Sequence, residues 1–180
     1  GGNDRIRGDF HPGLGDVNDD GYTSMHQSIA VAATDRQGKA TTYSNRGACI
    51  LVAAPGGESD DGLFTTDLLG RQGYTASTRG LGEGDYIPNE IGFIGTSAAA
   101  PLVSGMAGLA LGVNPSLSNR DVQQLLISSA RQVFEDPDTV ANGAGFAHNH
   151  NVGFGIPDAG ELVQLASQWR TRDPLVVKSF

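Results

Sequence analysis

Two short, uninterrupted runs of apolar residues constrain the fold of this chain more than any other feature. The runs are Ser28–Ala33 and Ala48–Ala54, each flanked by turn residues, and Pro55-Gly56-Gly57 ends the second. Short runs that are apolar throughout are typical of strands buried on both faces, as in a parallel sheet covered by helices. A weaker strand is predicted over Leu63–Thr66, and residues 69–89 are predicted to form a loop.

The second half of the chain has helical periodicity. Ser97–Val113 is apolar on both faces, which predicts a buried helix that ends at Asn114-Pro115. The large residues of one of its faces are Leu102, Met106, Leu109 and Val113. A second helix is predicted after Ser118, because Ser118 and Asp121 match an N-terminal cap. A third begins near Asp158, with the apolar stripe Ala159, Leu162, Val163, Ala166 and Trp169. Buried strands with helices predict an α/β doubly wound fold.

Charge narrows the classes of partner. The chain has 12 Lys and Arg against 20 Asp and Glu, a net charge of −8, which argues against nucleic acid or an anionic membrane as the main partner. The longest apolar stretch, Ala98–Val113, is interrupted by Pro101, Ser104 and glycines and is shorter than a membrane span. We therefore expect no membrane segment here. The chain opens without a start Met, and we interpret it as continuing upstream.

The strongest local motif is Gly95-Thr96-Ser97-Ala98-Ala99-Ala100-Pro101, which brings a serine to the first turn of a helix. The first amides of a helix have no internal partners, and the helix dipole adds partial positive charge there. A serine in that place can attack a carbonyl while its own N–H faces the oxyanion that forms. The alternative is structural: Thr96 or Ser97 merely caps the helix.

Residues 95–105, Gly-Thr-Ser-Ala-Ala-Ala-Pro-Leu-Val-Ser-Gly, resemble the nucleophile motif of the subtilisin-like serine proteases. The similarity is to the kexin/furin branch and extends over further short segments: 20–23, 43–44, 54–57, 65–67, 114–115, 120–122 and 153–159. The resemblance implies a doubly wound, mostly parallel sheet with helices on both faces. Residues 1–170 would be the C-terminal part of a peptidase domain, and 171–180 an exit segment. A secreted or secretory-pathway location is expected from the family.

In this family the catalytic Asp and His precede the Ser, so the resemblance implies that both lie upstream of Gly1. We expect the four histidines present here to have other roles: His11 and His26 in loops, His148 and His150 in packing. Taken alone, the chain is therefore expected to lack catalysis.

Gly2-Asn3 is similar to the family segment whose asparagine amide completes the oxyanion hole, which implies that role for Asn3. The alternative is an ordinary asparagine of a turn. The separation of Asn3 from Ser97 is longer than is usual in this branch, which predicts an insertion, most simply within residues 69–89.

Two aspartates carry the remaining expectations. Asp20 matches the aspartate that relatives place in the primary specificity pocket, which implies cleavage after a basic residue. Relatives also hold a structural calcium ion, for which Asp16 would supply one ligand, but Asn45 stands where they carry a glutamate ligand. A rival interpretation of Asp16–Gly21 is an EF-hand-type calcium loop, although its twelfth position would be Gln27.

The leading hypothesis is a serine endopeptidase that acts on peptide or protein substrates through an Asp-His-Ser triad. It would be complete only with the upstream half of the same catalytic domain. The main alternative is an inactive binding module with the same fold. A calcium-binding structural module is a third hypothesis.

Overall fold

The computed structural model describes residues 1–8, 15–59, 61–75, 84–88 and 92–172. Its centre is a pair of parallel strands, β1 (Ala30–Thr34) and β2 (Ile50–Pro55), as the two apolar runs predict. The strands pair from Val31 with Val52 to Thr34 with Pro55. Ala30 pairs with Ile50 but Val31 pairs with Val52, so a bulge shifts the register between Ala30 and Val31.

The other strands have two residues each and pair antiparallel, β3 with β4, β5 with β8 and β6 with β7. They are β3 (Thr65–Thr66), β4 (Tyr86–Ile87), β5 (Ala130–Arg131), β6 (Val140–Ala141), β7 (Ala147–His148) and β8 (Ile156–Pro157). The helices are α1 (Arg5–Gly8), α2 (Thr96–Val113), α3 (Asn119–Ser128) and α4 (Ala159–Gln168). Short 3-10 turns cover Val17–Asp19 and Gly70–Gln72.

Both faces of the β1–β2 pair are buried. On one face, α2, α3 and α4 pack against Val31, Ala33, Val52 and Ala54 in the larger core cluster. On the other face, Val17 and Val152 cover Ala30, Ala32, Ile50 and Ala53. The strands are therefore apolar throughout because each side of the sheet has its own core, which is the arrangement that the sequence predicts.

Two predictions about local structure are corrected. The stretch 69–89 is not loop throughout, because it contains a 3-10 turn and strand β4, which pairs with β3; residues 76–83 and 89 lie outside the described residues. The last two described residues, 171 and 172, are also not detached from the domain. Thr171 Oγ1 donates to Ser116 O at 3.2 Å, and Arg172 N donates to Asp121 Oδ1 at 3.1 Å. Residues 173–180 of the expected exit segment lie outside the described residues.

Helix α2 is buried on one side only, so the expectation of a fully buried helix is wrong for the described chain. Its inner face is made of small residues, Ala99, Val103 and Ala110, which pack on the sheet. Three large residues of the predicted face, Leu102, Leu109 and Val113, are exposed by 40–54%, whereas the fourth, Met106, packs against the core cluster. Small residues occupy the inner face because they let the helix approach the strands closely.

Helix α2 has 18 residues with a mean hydropathy of 1.4, so by length and composition alone it could cross a membrane. This corrects the expectation that the segment is too short, because the helix starts earlier than the apolar stretch. A core helix of a globular domain meets the same criteria, and the contacts of the inner face with the sheet fit a core helix.

The start of α3 is capped as the sequence predicts. Ser118 and Asp121 form a reciprocal capping box, in which the Asp121 carboxylate accepts from Ser118 N at 2.9 Å and from Ser118 Oγ at 2.7 Å. The other Asp121 oxygen accepts from Trp169 Nε1 at 2.9 Å. Burial alone would raise the pKa of Asp121, but these hydrogen bonds outweigh burial and lower the pKa to about 2.

We expect Asp121→Asn to lower the free energy of unfolding at pH 7 by about 1–3 kcal/mol, because an amide cannot accept from all four donors. The folded-state pKa of Asp121 is below the unfolded value, so its stabilisation is complete above about pH 4 and is lost as pH falls toward 2. Urea unfolding at several pH values measures both effects. The control is Asp158→Asn, which alters the cap of α4 at a more exposed site. Equal losses in the two variants, or a loss for Asp121→Asn that does not shrink toward pH 2, would contradict this role.

Candidate active site

The candidate nucleophile lies at the beginning of α2, where the chain turns sharply at Gly95. Gly95 has φ +124°, a conformation that favours glycine, and Ala98 N donates to its carbonyl at 2.9 Å. Ser97 is the second residue of the helix and is exposed, whereas the neighbouring Thr96 and Ala98 are buried. In the described residues no carbonyl accepts from the Ser97 N–H, which is one of the free amides of the first turn.

Neither Thr96 nor Ser97 caps the helix, so the structural alternative for these residues is not what is found. The cap comes from Asn3, whose Oδ1 accepts from Thr96 N at 2.9 Å across 93 positions of sequence. Thr96 Oγ1 donates to the same oxygen at 3.0 Å and accepts from Gly2 N at 3.2 Å. Two hydrogen bonds therefore join Asn3 to Thr96 at the start of α2, and a third joins Thr96 to Gly2.

These bonds fix the direction of the Asn3 carboxamide. Because Thr96 N–H can only donate, the atom that faces it must be Oδ1, and Nδ2 points elsewhere. A methyl group added to Gly95 would lie 3.3 Å from Asn3 Nδ2 and 3.6 Å from Ser97 N. Both N–H groups thus border the same small space, which stays open because residue 95 has no side chain. Two N–H groups that border one space can stabilise an oxyanion there.

The sequence analysis did not assign Thr96 a separate part in the candidate site. Its amide and hydroxyl hold Asn3 in place, while Ser97 next to it stays exposed. The only available signal was its place inside the serine motif, since its contact with residue 3 depends on tertiary structure.

Three of the four histidines are within the described residues, and none of these three has a hydrogen bond to Ser97. His148 packs edge-on against Phe154 and lies 3.4 Å from Ile50 O, at the amino end of β2. Ser97 lies at the other end, because Gly95 N donates to Gly56 O, just after β2. A strand of six residues separates those ends by roughly 16 Å.

Burial lowers the pKa of His148, with a smaller contribution from repulsion by His150, which fits a packing role. His26 is exposed in a turn, and His11 lies outside the described residues. Within the described residues, no histidine is therefore hydrogen-bonded to Ser97.

Asp20 lies in the loop after the first 3-10 turn and is exposed. Its Oδ1 accepts from Tyr22 N at 2.9 Å and from Thr23 N at 2.8 Å. Hydrogen bonds from the Thr23 side chain and backbone lower the pKa of Asp20, and the Gly1 amino group adds to that effect. The structure thus brings this carboxylate near the Gly1 amino group, in the segment that leads to Asn3, and within the described residues it has no hydrogen bond to Ser97.

The surroundings of Asp16 do not fit a calcium ion shared with Asn45. Asp16 Oδ1 accepts from Asn18 N at 2.8 Å, and Asn45 Oδ1 accepts from Asp4 N at 2.6 Å, so each oxygen already has a donor. A methyl group on Gly47 would lie 2.9 Å from Asp16 Oδ1, so backbone closes that side. The described part of the chain has no group of three or more His, Cys, Asp or Glu that could hold a metal.

The positions of the side chains do not favour the EF-hand-type calcium loop either. Asn18 Oδ1 accepts from Cys49 N at 3.0 Å, and Asp20 accepts from its own loop, so these side chains serve the backbone instead of converging on one point. The twelve positions of such a loop would be 16–27, and the residues that follow form strand β1 (Ala30–Thr34) and not the helix that such a loop requires. Calcium binding stays a prediction that this geometry does not favour.

Comparison with known sequences identifies relatives over most of the chain. The profile of the subtilase family of peptidases matches residues 1–155. The chain is 35% identical over 167 residues to the proprotein convertase subtilisin/kexin type 5 of Branchiostoma californiense, covering 84% of this chain and 9% of that protein. It is 37% identical over 156 residues to the type 7 convertase of Mus musculus, covering 84% and 18% respectively. The chain therefore spans less than a fifth of the length of these two relatives.

Comparison with solved structures gives the same family. The serine protease of Aeromonas sobria superposes with a TM-score of 0.77 at 27% identity, covering 89% of this chain and 33% of that one. This likeness confirms the predicted fold class, an α/β doubly wound fold of the subtilisin-like type, of which the chain is a C-terminal portion.

Proposed function

This chain belongs to the subtilase family, and from that premise we propose that it is the nucleophile-bearing part of a serine endopeptidase. One observation carries the proposal: Asn3 Nδ2 and Ser97 N–H border a common open space beside an exposed serine. Peptide and protein chains are the proposed substrates.

The proposed reaction is acyl transfer through a triad whose His and Asp are supplied by residues outside this chain. Ser97 Oγ forms a bond to the substrate carbonyl carbon while its proton passes to the histidine, and the carbonyl electron pair moves to oxygen. Asn3 Nδ2 and Ser97 N–H donate to that oxyanion. The C–N bond then breaks as the histidine returns the proton to the leaving amine, and water releases the acyl group by the same route.

The outer face of α2 supports the proposal that another part of the protein packs here. Leu102, Leu109 and Val113 lie on one side of the helix and are 40–54% exposed. Adjacent exposed leucines and valine are expected where a second surface normally covers them. We propose that the missing half of the same catalytic domain covers this face and brings the base to Ser97. By analogy with the convertase relatives, we also propose a secretory-pathway or extracellular location.

The test is covalent labelling of the longer protein that contains this chain with a fluorophosphonate probe, followed by mapping of the labelled peptide. Stoichiometric labelling of the peptide that contains Ser97 is expected, and residues 1–180 alone should remain unlabelled because they lack the base. A longer protein that carries the upstream segments yet never reacts would favour the inactive binding module instead.

We further propose that Asp20 selects a basic residue before the cut bond. Tyr22 N and Thr23 N hold its exposed carboxylate in place through Oδ1, and a carboxylate at the surface can pair with a guanidinium. Asp20→Asn should lower kcat/KM by about 10–100-fold for an arginine substrate, since hydrogen bonds between charged groups contribute about 1.5–3 kcal/mol. A matched leucine substrate should be little affected.

The control for this prediction is Asp19→Asn, which removes a neighbouring exposed carboxylate from the same turn. Paired peptides that differ only in the residue before the cut bond provide the measurement. Equal losses for arginine and leucine substrates would show that Asp20 does not contact that side chain.

A further inference from the structure

The Tyr43 hydroxyl joins two segments beside the candidate active site. Its oxygen lies 2.8 Å from Gly56 O and 2.7 Å from Gly57 O, and it accepts from Gly95 N at 3.0 Å. Gly56 and Gly57 follow the end of β2, whereas Gly95 is the turn that begins α2. One hydroxyl therefore contacts the end of the sheet and the turn that presents Ser97.

The joint around this hydroxyl is closely packed. A methyl group on Gly56 would lie 2.9 Å from Gly95 O and 3.0 Å from Tyr43 Oη, so glycine is required for the two segments to meet. Gly95 N also donates to Gly56 O at 2.9 Å, beside its contact with the hydroxyl. The hydroxyl proton can serve only one of the two carbonyls at a time. Without the hydroxyl, Gly57 O would face an apolar ring edge, whereas Gly56 O would keep its bond from Gly95 N.

The rest of Tyr43 is placed by separate interactions. Its ring packs against the larger core cluster, and its carbonyl accepts from Arg5 N at 3.2 Å, two residues after Asn3. Burial raises the pKa of the Tyr43 hydroxyl, so the group keeps its proton throughout the neutral range. Backbone and side chain of this one residue thus contact both segments that carry the two oxyanion donors.

We propose that Tyr43 is a positioning residue for this site: its hydroxyl holds the Gly95 turn against the end of β2 and so fixes the direction of the Ser97 amide. This inference rests on the proposed function, because it assigns Tyr43 a part in orienting the same donors. Tyr43 does not act on the substrate. Its contribution is made through Gly95, whose φ of +124° is a conformation that glycine adopts readily and other residues do not.

Tyr43→Phe removes the hydroxyl and keeps the ring that packs in the core. In the longer, active protein we expect kcat to fall about tenfold with KM unchanged within about twofold, the size expected when one hydrogen bond that orients a transition-state donor is lost. The rate should be expressed per active site titrated with the fluorophosphonate. Simple destabilisation would lower the number of titrated sites and leave kcat per site unchanged.

The matched control is Tyr86→Phe, which makes the same chemical change at a side chain of β4 that is 52% exposed. Amide hydrogen exchange of residues 92–99 gives a second readout that needs no activity, and it should become faster in Tyr43→Phe only. Normal kcat per site in Tyr43→Phe would overturn the inference while leaving the proposed function intact. If the wild type never labels, the proposed function fails, and unchanged exchange of residues 92–99 in Tyr43→Phe would overturn the Tyr43 inference separately.

Discussion

Replacing Ser97 with alanine should abolish both fluorophosphonate labelling and peptide hydrolysis by the longer protein. Alanine keeps the helix and the amide N–H at position 97 but removes the oxygen that forms the acyl bond. The expected loss in kcat is on the order of 10⁶, which is the known cost of removing the nucleophile from subtilisin, a relative. Residual hydrolysis would reflect oxyanion stabilisation and substrate binding alone.

The control for this variant is Ser104→Ala, two helical turns later in α2. Ser104 is exposed and donates to Ala100 O at 3.1 Å, so its loss tests the general effect of removing a hydroxyl from this helix. Thermal unfolding should be the same for wild type and Ser97→Ala, because Ser97 Oγ has no hydrogen bond in the described residues. Labelling of Ser97→Ala at the wild-type rate would refute the assignment of the nucleophile.

Asn3→Asp should lower kcat by about 10²–10³, the known cost of losing one oxyanion donor in subtilisin, with little change in KM. The substitution separates the two functions of Asn3. An aspartate oxygen can still accept from Thr96 N at the start of the helix, where negative charge is favourable. An oxygen replaces the nitrogen that faces the oxyanion, and this oxygen repels the developing negative charge.

Asn3→Ala provides the comparison, because it removes the donor and the cap together. It should show a similar loss in kcat and an additional loss of about 1 kcal/mol in the free energy of unfolding. Steady-state kinetics and urea unfolding of the two variants measure these effects. If Asn3→Asp retains wild-type kcat, the Asn3 amide does not contact the oxyanion.

Much of the fold follows from local sequence patterns. The strands β1 and β2 were predictable because runs buried on both faces are continuously apolar, and the start of α3 because Ser118 and Asp121 are neighbours in sequence. The orientation of α2 was not, since both of its faces are apolar and only its contacts select the face made of small residues. The pairing of β3 with β4 joins two-residue strands, which are too short to have a period.

In the candidate site too, local sequence patterns identify some residues and not others. Ser97 is conspicuous because one short motif contains it. The closeness of Asn3 was expected only through the resemblance to a family, since 93 positions separate it from Thr96. Tyr43 and Thr96 lie in segments that carry the resemblance, 43–44 and 95–105, but their contributions were not predicted because they arise where the end of a strand, a turn and a helix start meet.

The hydrogen bonds between Asn3 and Thr96 couple the geometry of the candidate site to the folding of the chain. The carboxamide cannot turn over without uncapping a core helix, so its donor is set in direction before any substrate arrives. Because of this coupling, a substitution at position 3 is expected to lower both the free energy of unfolding and kcat. A relative that lost its catalytic activity during evolution could therefore keep this asparagine for capping the helix alone.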